Sequence, residues 1–195
     1  MRKNGYMKDD DAVLMHQLKR GRVKALSGLV EKYKKQAYYL ALGMVGNSDD
    51  AFDISQEAFL RVYQSARTFD DKQPFFPWFY AIVANLCRNL LKKRQTVDNR
   101  QVDIDDVGHL LAGSATPETE LLEREDKRKL FRAMRKLAFA DREIINLNHF
   151  RMMSYDEIAS VLDIPKGTVM SRLYYARRRL AELMEEDERH AMRRD

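Results

Sequence analysis

Seven side chains towards the end of the chain share one chemistry. In "KGTVMSRLYYARRRL" the residues Lys166, Thr168, Ser171, Arg172, Tyr175, Arg178 and Arg179 can all donate hydrogen bonds, and most are cationic. At about 100° per residue, Val169, Leu173, Ala176, Leu180 and Leu183 fall on one face of a helix. Thr168, Ser171, Tyr175 and Arg178 then point nearly opposite, with Arg172 and Arg179 on a flank and Lys166 at the helix start. Such an outer face suits a DNA major groove, where Arg bonds guanine O6 and N7 and Ser or Thr serves either kind of edge. A solvated basic helix has the same composition, so the surrounding elements must decide.

The segment just before it supplies part of the answer. Ser154 followed by Glu157 has the spacing of a capping box, in which each residue satisfies the other's backbone amide. Ile158, Val161 and Leu162 give that short helix a buried stripe, Asp163 tolerates a left-handed backbone, and Pro165 suits the first turn of the next helix. The spacing predicts helices over 155–162 and 166–185 around a turn of about three residues, a helix-turn-helix.

A second group lies upstream. In "DDAFDISQEAFLRVYQ" an inner stripe of Ala51, Ile54, Ala58 and Val62 leaves Asp53, Gln56, Glu57 and Arg61 outside, an acidic and amide strip that is either solvated surface or a protein-docking face. In "FFPWFYAIVANLCRNLLKKR", Phe79, Ile82, Val83, Leu86 and Leu90 line one face. Trp78, Ala81, Asn85, Arg88, Asn89 and Lys92 share another, and Lys93 and Arg94 extend its charge. The preceding loop, Asp70 to Pro77, carries Lys72, Gln73, Phe75 and Phe76, which read as exposed. Aromatic surface beside amide and basic groups meets the needs of single-stranded nucleic acid, because bases stack and phosphates pair with cations. The competing reading makes Trp78 and the phenylalanines core anchors of a small bundle.

Other chemistries find little support. His16, His109, His149 and His190 are scattered singly, so no metal, cofactor or hydrolytic site is expected. The single cysteine, Cys87, falls on an apolar face, excludes an internal disulfide and fits a reducing interior. The start of the chain does not resemble a signal peptide, and no apolar run approaches ~18–20 residues, so no membrane insertion and a cytoplasmic location are expected. Lys and Arg number 35 against 30 Asp and Glu, a net charge of only +5, but the basic residues cluster in "LLKKRQ", "YYARRRL" and "RHAMRRD".

The elements that must position these groups are helical throughout. Apolar residues recur every three or four positions, and only eight glycines and four prolines interrupt them. The pattern predicts helices over about 11–20, 23–44, 49–67 and 76–94, then 118–136, 141–150, 155–162 and 166–185. Ser48 is the expected cap of the third, with Asp49 and Asp50 at its positive end. Between them "QTVDNRQVDIDDVGHLLAGSATPE" has no helical period and is rich in aspartate. The expected fold class is all-α: two small helical domains, 1–95 and 118–195, joined by a flexible acidic linker over 96–117.

Taken together, these blocks resemble the bacterial RNA polymerase sigma factors of the extracytoplasmic-function (ECF) group, which retain conserved regions 2 and 4. "DAFDISQEAFL", "WFYAIVANL" and "SYDEIASVLDIPKGTVMSRLYYAR" answer three family segments in the family's order. The resemblance implies a promoter-specificity subunit rather than an enzyme. Asp53, Gln56, Glu57 and Arg61 would dock on the clamp helices of the β′ subunit of core RNA polymerase. The loop Lys72, Gln73, Phe75 and Phe76, with Trp78, Asn85, Arg88, Lys92 and Lys93, would open the promoter −10 element and hold its single strand. The helix-turn-helix would read the −35 duplex, its domain would contact the β flap, and an anti-sigma factor is an expected partner. Ala81 and Ala84 stand where the family has arginines, and Met170 and Tyr175 where it has Lys and Arg, so promoter preference should differ from that of relatives. The rival is a stand-alone helix-turn-helix repressor or activator, which would bind duplex DNA by itself, usually as a dimer.

Overall fold

A long apolar helix organises the N-terminal half. The computed structural model describes residues 8–97, 129–150 and 153–191. The first domain comprises α1 (Lys8–Lys19), α2 (Lys24–Val45), α3 (Ser48–Ser65, followed by a 3₁₀ turn Ala66–Thr68) and α4 (Phe75–Val97). Leu29, Tyr33, Ala37, Leu40, Ala41 and Met44 of α2 are essentially inaccessible to solvent, and α1, α3 and α4 pack around them. The aromatic side chains carry much of this contact: Tyr33 meets Phe79 at 5.7 Å between centroids, and Phe59 meets Phe79 at 5.1 Å.

Local chemistry sets the helix ends. Gly46 ends α2 with φ 73°, its amide bonding the Leu42 carbonyl in a left-handed cap. The chain then extends at Asn47 (φ −135°, ψ 135°), whose side chain accepts from the Asp50 amide at 3.0 Å. Asn47, not Ser48, is therefore the cap of α3. The turn at Gly46 delivers Asn47 in the extended conformation a cap requires, and Ser48 already lies within the helix. Arg94 reaches back from α4 to Asp50 at 2.6 Å and ties the two helices together.

The second domain contains α5 (described over 129–136), α6 (Phe139–Ile145), α7 (Tyr155–Leu162) and α8 (Lys166–Ala191). The expected helix over 141–150 begins earlier, at Phe139, and its end widens into a π turn, Asn146–Phe150. The last helix runs six residues past its expected end at 185, to Ala191. The expected linker, 96–117, lies outside the described residues except for Thr96 and Val97, which continue α4, and the expected helical stretch 118–128 also lies outside them.

The two domains touch. Buried residues of α6, the π turn and α7 join the apolar core built by α2 and α4. Two polar side chains cross the junction: the Arg142 guanidinium donates to the Met44 carbonyl, and Asn146 Nδ2 donates to the Leu40 carbonyl at 3.1 Å.

Candidate nucleic-acid and polymerase interfaces

In the C-terminal domain the capping box is formed as the spacing predicts. The Ser154 amide donates to Glu157 Oε2 at 2.8 Å, and the Glu157 amide donates to Ser154 Oγ at 3.3 Å. Asp163 adopts the left-handed conformation (φ 51°, ψ 51°), closing α7 by bonding the Ala159 carbonyl. Pro165 precedes α8 and its carbonyl receives the Thr168 and Val169 amides. Ile158, Val169, Leu173 and Ala176 are buried, fixing which face of α8 looks outward.

That outward face carries Lys166, Ser171, Arg172, Tyr175 and Arg178, all exposed, with Thr168 half-buried. Lys166 pairs with Asp156 at 2.9 Å and Arg178 with Glu182 at 2.9 Å. Both are exposed pairs worth ~0–1 kcal/mol, which a phosphate or base edge can displace. Arg179 differs: its Nε and Nη2 grip the buried Asp141 at 2.8 and 2.7 Å, a bidentate bond that holds α8 against α6. Met170, Tyr174 and Tyr175 add exposed apolar surface, Tyr174 being 64 % accessible. Tyr174 was not singled out by the sequence, because it sits between the inner and outer stripes.

On α3 the inner stripe Ala51, Ile54, Ala58 and Val62 is buried as expected. Asp53, Gln56 and Arg61 are exposed and Glu57 half-buried, and Arg61 Nε bonds Glu57 Oε1 at 2.7 Å. Flanking them is a feature the sequence reading missed: Phe52, Leu60 and Tyr63 are about half accessible. Their spacing with Gln56 of 4, 4 and 3 places them in one row, a signal that was present in the sequence.

The loop before α4 corrects an expectation. Phe75 and Phe76, read as exposed, are 3 % and 7 % accessible. Phe75 stacks on Phe79 at 5.4 Å and both rings lie against Tyr33, because α4 begins at Phe75 and turns them inward. Trp78 is half-buried against Phe69 at 4.9 Å. Lys72 and Gln73 are exposed, on a turn made by Asp70, whose carboxylate accepts the Lys72 amide. Asn85, Lys92 and Lys93 are exposed along α4, Ala81 is exposed and Ala84 buried. Arg88 bonds Asn85 Oδ1 at 2.7 Å, lies over the Phe139 ring at 4.8 Å and faces Glu143 at 3.6 Å.

The electrostatics of this junction follow from burial. Burial pushes the Glu143 carboxyl above its ordinary value, against the pull of Tyr80, Arg88 and Arg172. The Tyr80 phenol is raised, first by burial and then by Glu143. Arg142 is lowered by burial and by Arg135. Cys87 is pushed up to about 12, chiefly by burial, so its thiol stays protonated near neutrality.

These features define an all-helical protein that joins a four-helix domain, with a polar docking strip, to a helix-turn-helix domain with a basic outer face. Residues 29–97 match the family of Sigma-70 region 2, and residues 127–180 match Sigma-70, region 4. The chain is 32% identical over 173 residues to an ECF RNA polymerase sigma-E factor of Haemophilus influenzae, spanning 86% of this chain and 91% of that protein. It is 31% identical over 172 residues to the ECF RNA polymerase sigma factor SigW of Bacillus subtilis, spanning 84% and 91%. In fold it is similar to CnrH, solved in complex with the cytosolic domain of CnrY, with TM-score 0.66, 24% identity and coverage of 91% of this chain and 99% of that one. A sigma factor RpoE solved with the anti-sigma factor NepR from Bartonella quintana gives TM-score 0.66 at 22% identity, covering 83% and 98%. The chain belongs to the ECF group of RNA polymerase sigma factors, the transcription initiation factors that bind core polymerase and direct it to promoter DNA. No helix among the described residues is long and apolar enough to cross a membrane.

Proposed function

We propose a division of that work among named residues. Asp53, Gln56, Glu57 and Arg61 on α3, with the row Phe52, Leu60 and Tyr63, dock on the β′ clamp helices of core polymerase. Lys72 and Gln73, with Asn85, Arg88, Lys92 and Lys93, hold the opened −10 strand. Phe75, Phe76 and Trp78 frame its base pocket from below, and flipping a base costs a few kcal/mol that such a pocket can offset. Lys166, Thr168, Ser171, Arg172, Tyr175 and Arg178 read the −35 duplex, and Arg179 acts through its grip on Asp141. The domain boundaries at 1–95 and 118–195 belong to this reading, as do a contact of the second domain with the β flap, a cytoplasmic location and an anti-sigma partner of the kind solved with RpoE.

The observation that carries the reading is the coexistence of an exposed acidic and amide strip on α3 with a one-sided basic face on α8. A repressor needs only the second. The test is binding of the purified chain to sigma-free core polymerase and transcription from a promoter library. Reversing Asp53 and Glu57 to lysine should abolish core binding while leaving the folding stability within about 1 kcal/mol, since the only ion pair lost among the described residues is the exposed one to Arg61. Undiminished core binding by the double variant would leave the strip as mere surface. Tight duplex binding by the bare chain with no core association would favour the repressor instead.

A further inference from the structure

Three large side chains with apolar bodies stand out from α8: Met170, Tyr174 and Tyr175 are each more than half accessible. Met170 and Tyr174 are four residues apart and so share one row of the helix, and the rings of Tyr174 and Tyr175 meet edge-on at 5.3 Å. With the half-buried Tyr155 at the start of α7, Met170 and Tyr174 wall an open groove of about 520 Å³, floored by Leu173 and rimmed by Arg177 and Arg178. Arg177 is held there by Asn148 Oδ1 at 2.6 Å. Met170 and Tyr175 stand where the related family segment has Lys and Arg, so this apolar surface is the chain's own.

A glycine at the same helix start points to an occupant from outside the chain. Among the described residues, three glycines lie in helices with no positive φ to explain them, although glycine is a poor helix former. At Gly28 and Gly43 packing explains the choice, since a Cβ would press on Leu14 or collide with Asn146 of the other domain. At Gly167 a Cβ would meet nothing within 4 Å. Gly167 lies three residues before Met170 and four before Ser171, so its missing side chain clears the approach to both. What approaches should be anionic, because Lys166, Arg172, Arg177 and Arg178 surround the spot and α8 has no acidic residue before Glu182. It should also offer an apolar group, because Met170 has no hydrogen to donate to a phosphate or a guanine edge, and its flexible, polarizable thioether suits apolar contact. In the major groove of DNA that group is the methyl on C5 of thymine. 5-Methylcytosine presents the same methyl at the same ring position.

We infer that Met170, backed by Tyr174, reads the C5-methyl group of a pyrimidine in the −35 duplex, whether that pyrimidine is thymine or 5-methylcytosine. The inference rests on the preceding assignment of α8 to the −35 element. Ser171 and Arg172 bond polar base edges beside it, and Met170 adds a test for a methyl that those donors cannot make. Cytosine methylation within such an element would then strengthen promoter recognition rather than block it.

The test uses holoenzyme assembled from the full chain and core polymerase, on promoter duplexes drawn from the library. Deoxyuridine replaces each −35 thymine in turn, on either strand, which removes the methyl and keeps the pairing edge. At one position or more the affinity should fall about fourfold, the scale of one buried methyl group. There Met170→Ala should bind thymine and uracil duplexes alike, and Met170→Leu should restore the preference. Because Met170 is more than half exposed, neither change threatens the fold, and an unchanged melting temperature checks this. At the sensitive position a C·G pair should bind about fourfold more tightly when its cytosine carries the 5-methyl group. Absence of that gain would confine the contact to thymine and overturn the methylation half. Uracil tolerated at every position, or a thymine preference that survives Met170→Ala, would overturn the contact itself. Arg172→Ala keeps two failures apart. If it too leaves −35 discrimination unchanged, the assignment of α8 falls; if it weakens discrimination while uracil is tolerated throughout, only the methyl contact falls.

Discussion

At the scale of single residues, α8 carries the sharpest distinction between an arginine that holds the fold and one exposed on the outer face. Arg179 is locked to Asp141 by two short bonds. Arg172, about two turns earlier on the same flank, is exposed and is close enough to Glu143 to feel its charge. Arg172→Ala should therefore weaken −35 duplex recognition by about 1–3 kcal/mol, the scale of a good base contact, with little change in melting temperature. Holoenzyme competition between matched and mismatched −35 duplexes measures this. An unchanged ratio would remove Arg172 from direct readout. Spacing placed both arginines on the flank of α8 but could not tell their roles apart, because Asp141 lies in another helix and has no fixed sequence relation to Arg179. Phe75 and Phe76 were misjudged for a related reason: a run of phenylalanines beside prolines says nothing about which ring the start of α4 turns inward.

At the scale of elements, legibility followed how local the determinants are. The helix Tyr155–Leu162 was bounded correctly because its start is a reciprocal side-chain bond three residues long and its end is one left-handed aspartate. The cap of α3 was misplaced by one residue, since Asn47 and Ser48 are both good caps and only the turn at Gly46 chooses between them. The π turn at Asn146–Phe150 left no periodic mark. Ser154→Ala removes the acceptor of the Glu157 amide and should cost ~1 kcal/mol, read as a lower denaturant midpoint with an unchanged slope. No loss would mean that solvent satisfies that helix end equally well. Its expected consequence for function is a weaker grip on −35 DNA, because α7 is what α8 packs against.

At the scale of the whole molecule, the docked domains tie closure to proton concentration. Glu143 faces Tyr80 and Arg88 of α4 and Arg172 of α8, with Arg142 beside it on its own helix, and burial holds its carboxyl above the ordinary value of 4.5. A group whose pKa is raised by closure is penalised where it is ionised in both states. The stabilisation is therefore fully present below the ordinary value and is lost as pH rises through the raised one. The closed form should tighten as pH falls from neutrality towards the ordinary glutamate range, and Glu143→Gln should flatten that trend. Scattering curves across the range, for parent and variant, measure it; an equally steep trend in the variant would assign the titration to another group. None of this was visible in the sequence, since periodicity identifies each domain's inner face and is silent about a second partner.

The vacancy at Gly43 also bears on inheritance. A space in one domain filled by Asn146 from the other makes two distant codons a matched pair: a bulkier residue at either position demands a smaller one at its mate. Domains shuffled between relatives, by recombination or by hand, would keep their separate folds and their separate affinities for polymerase and promoter. Such hybrids would lose the fit between halves.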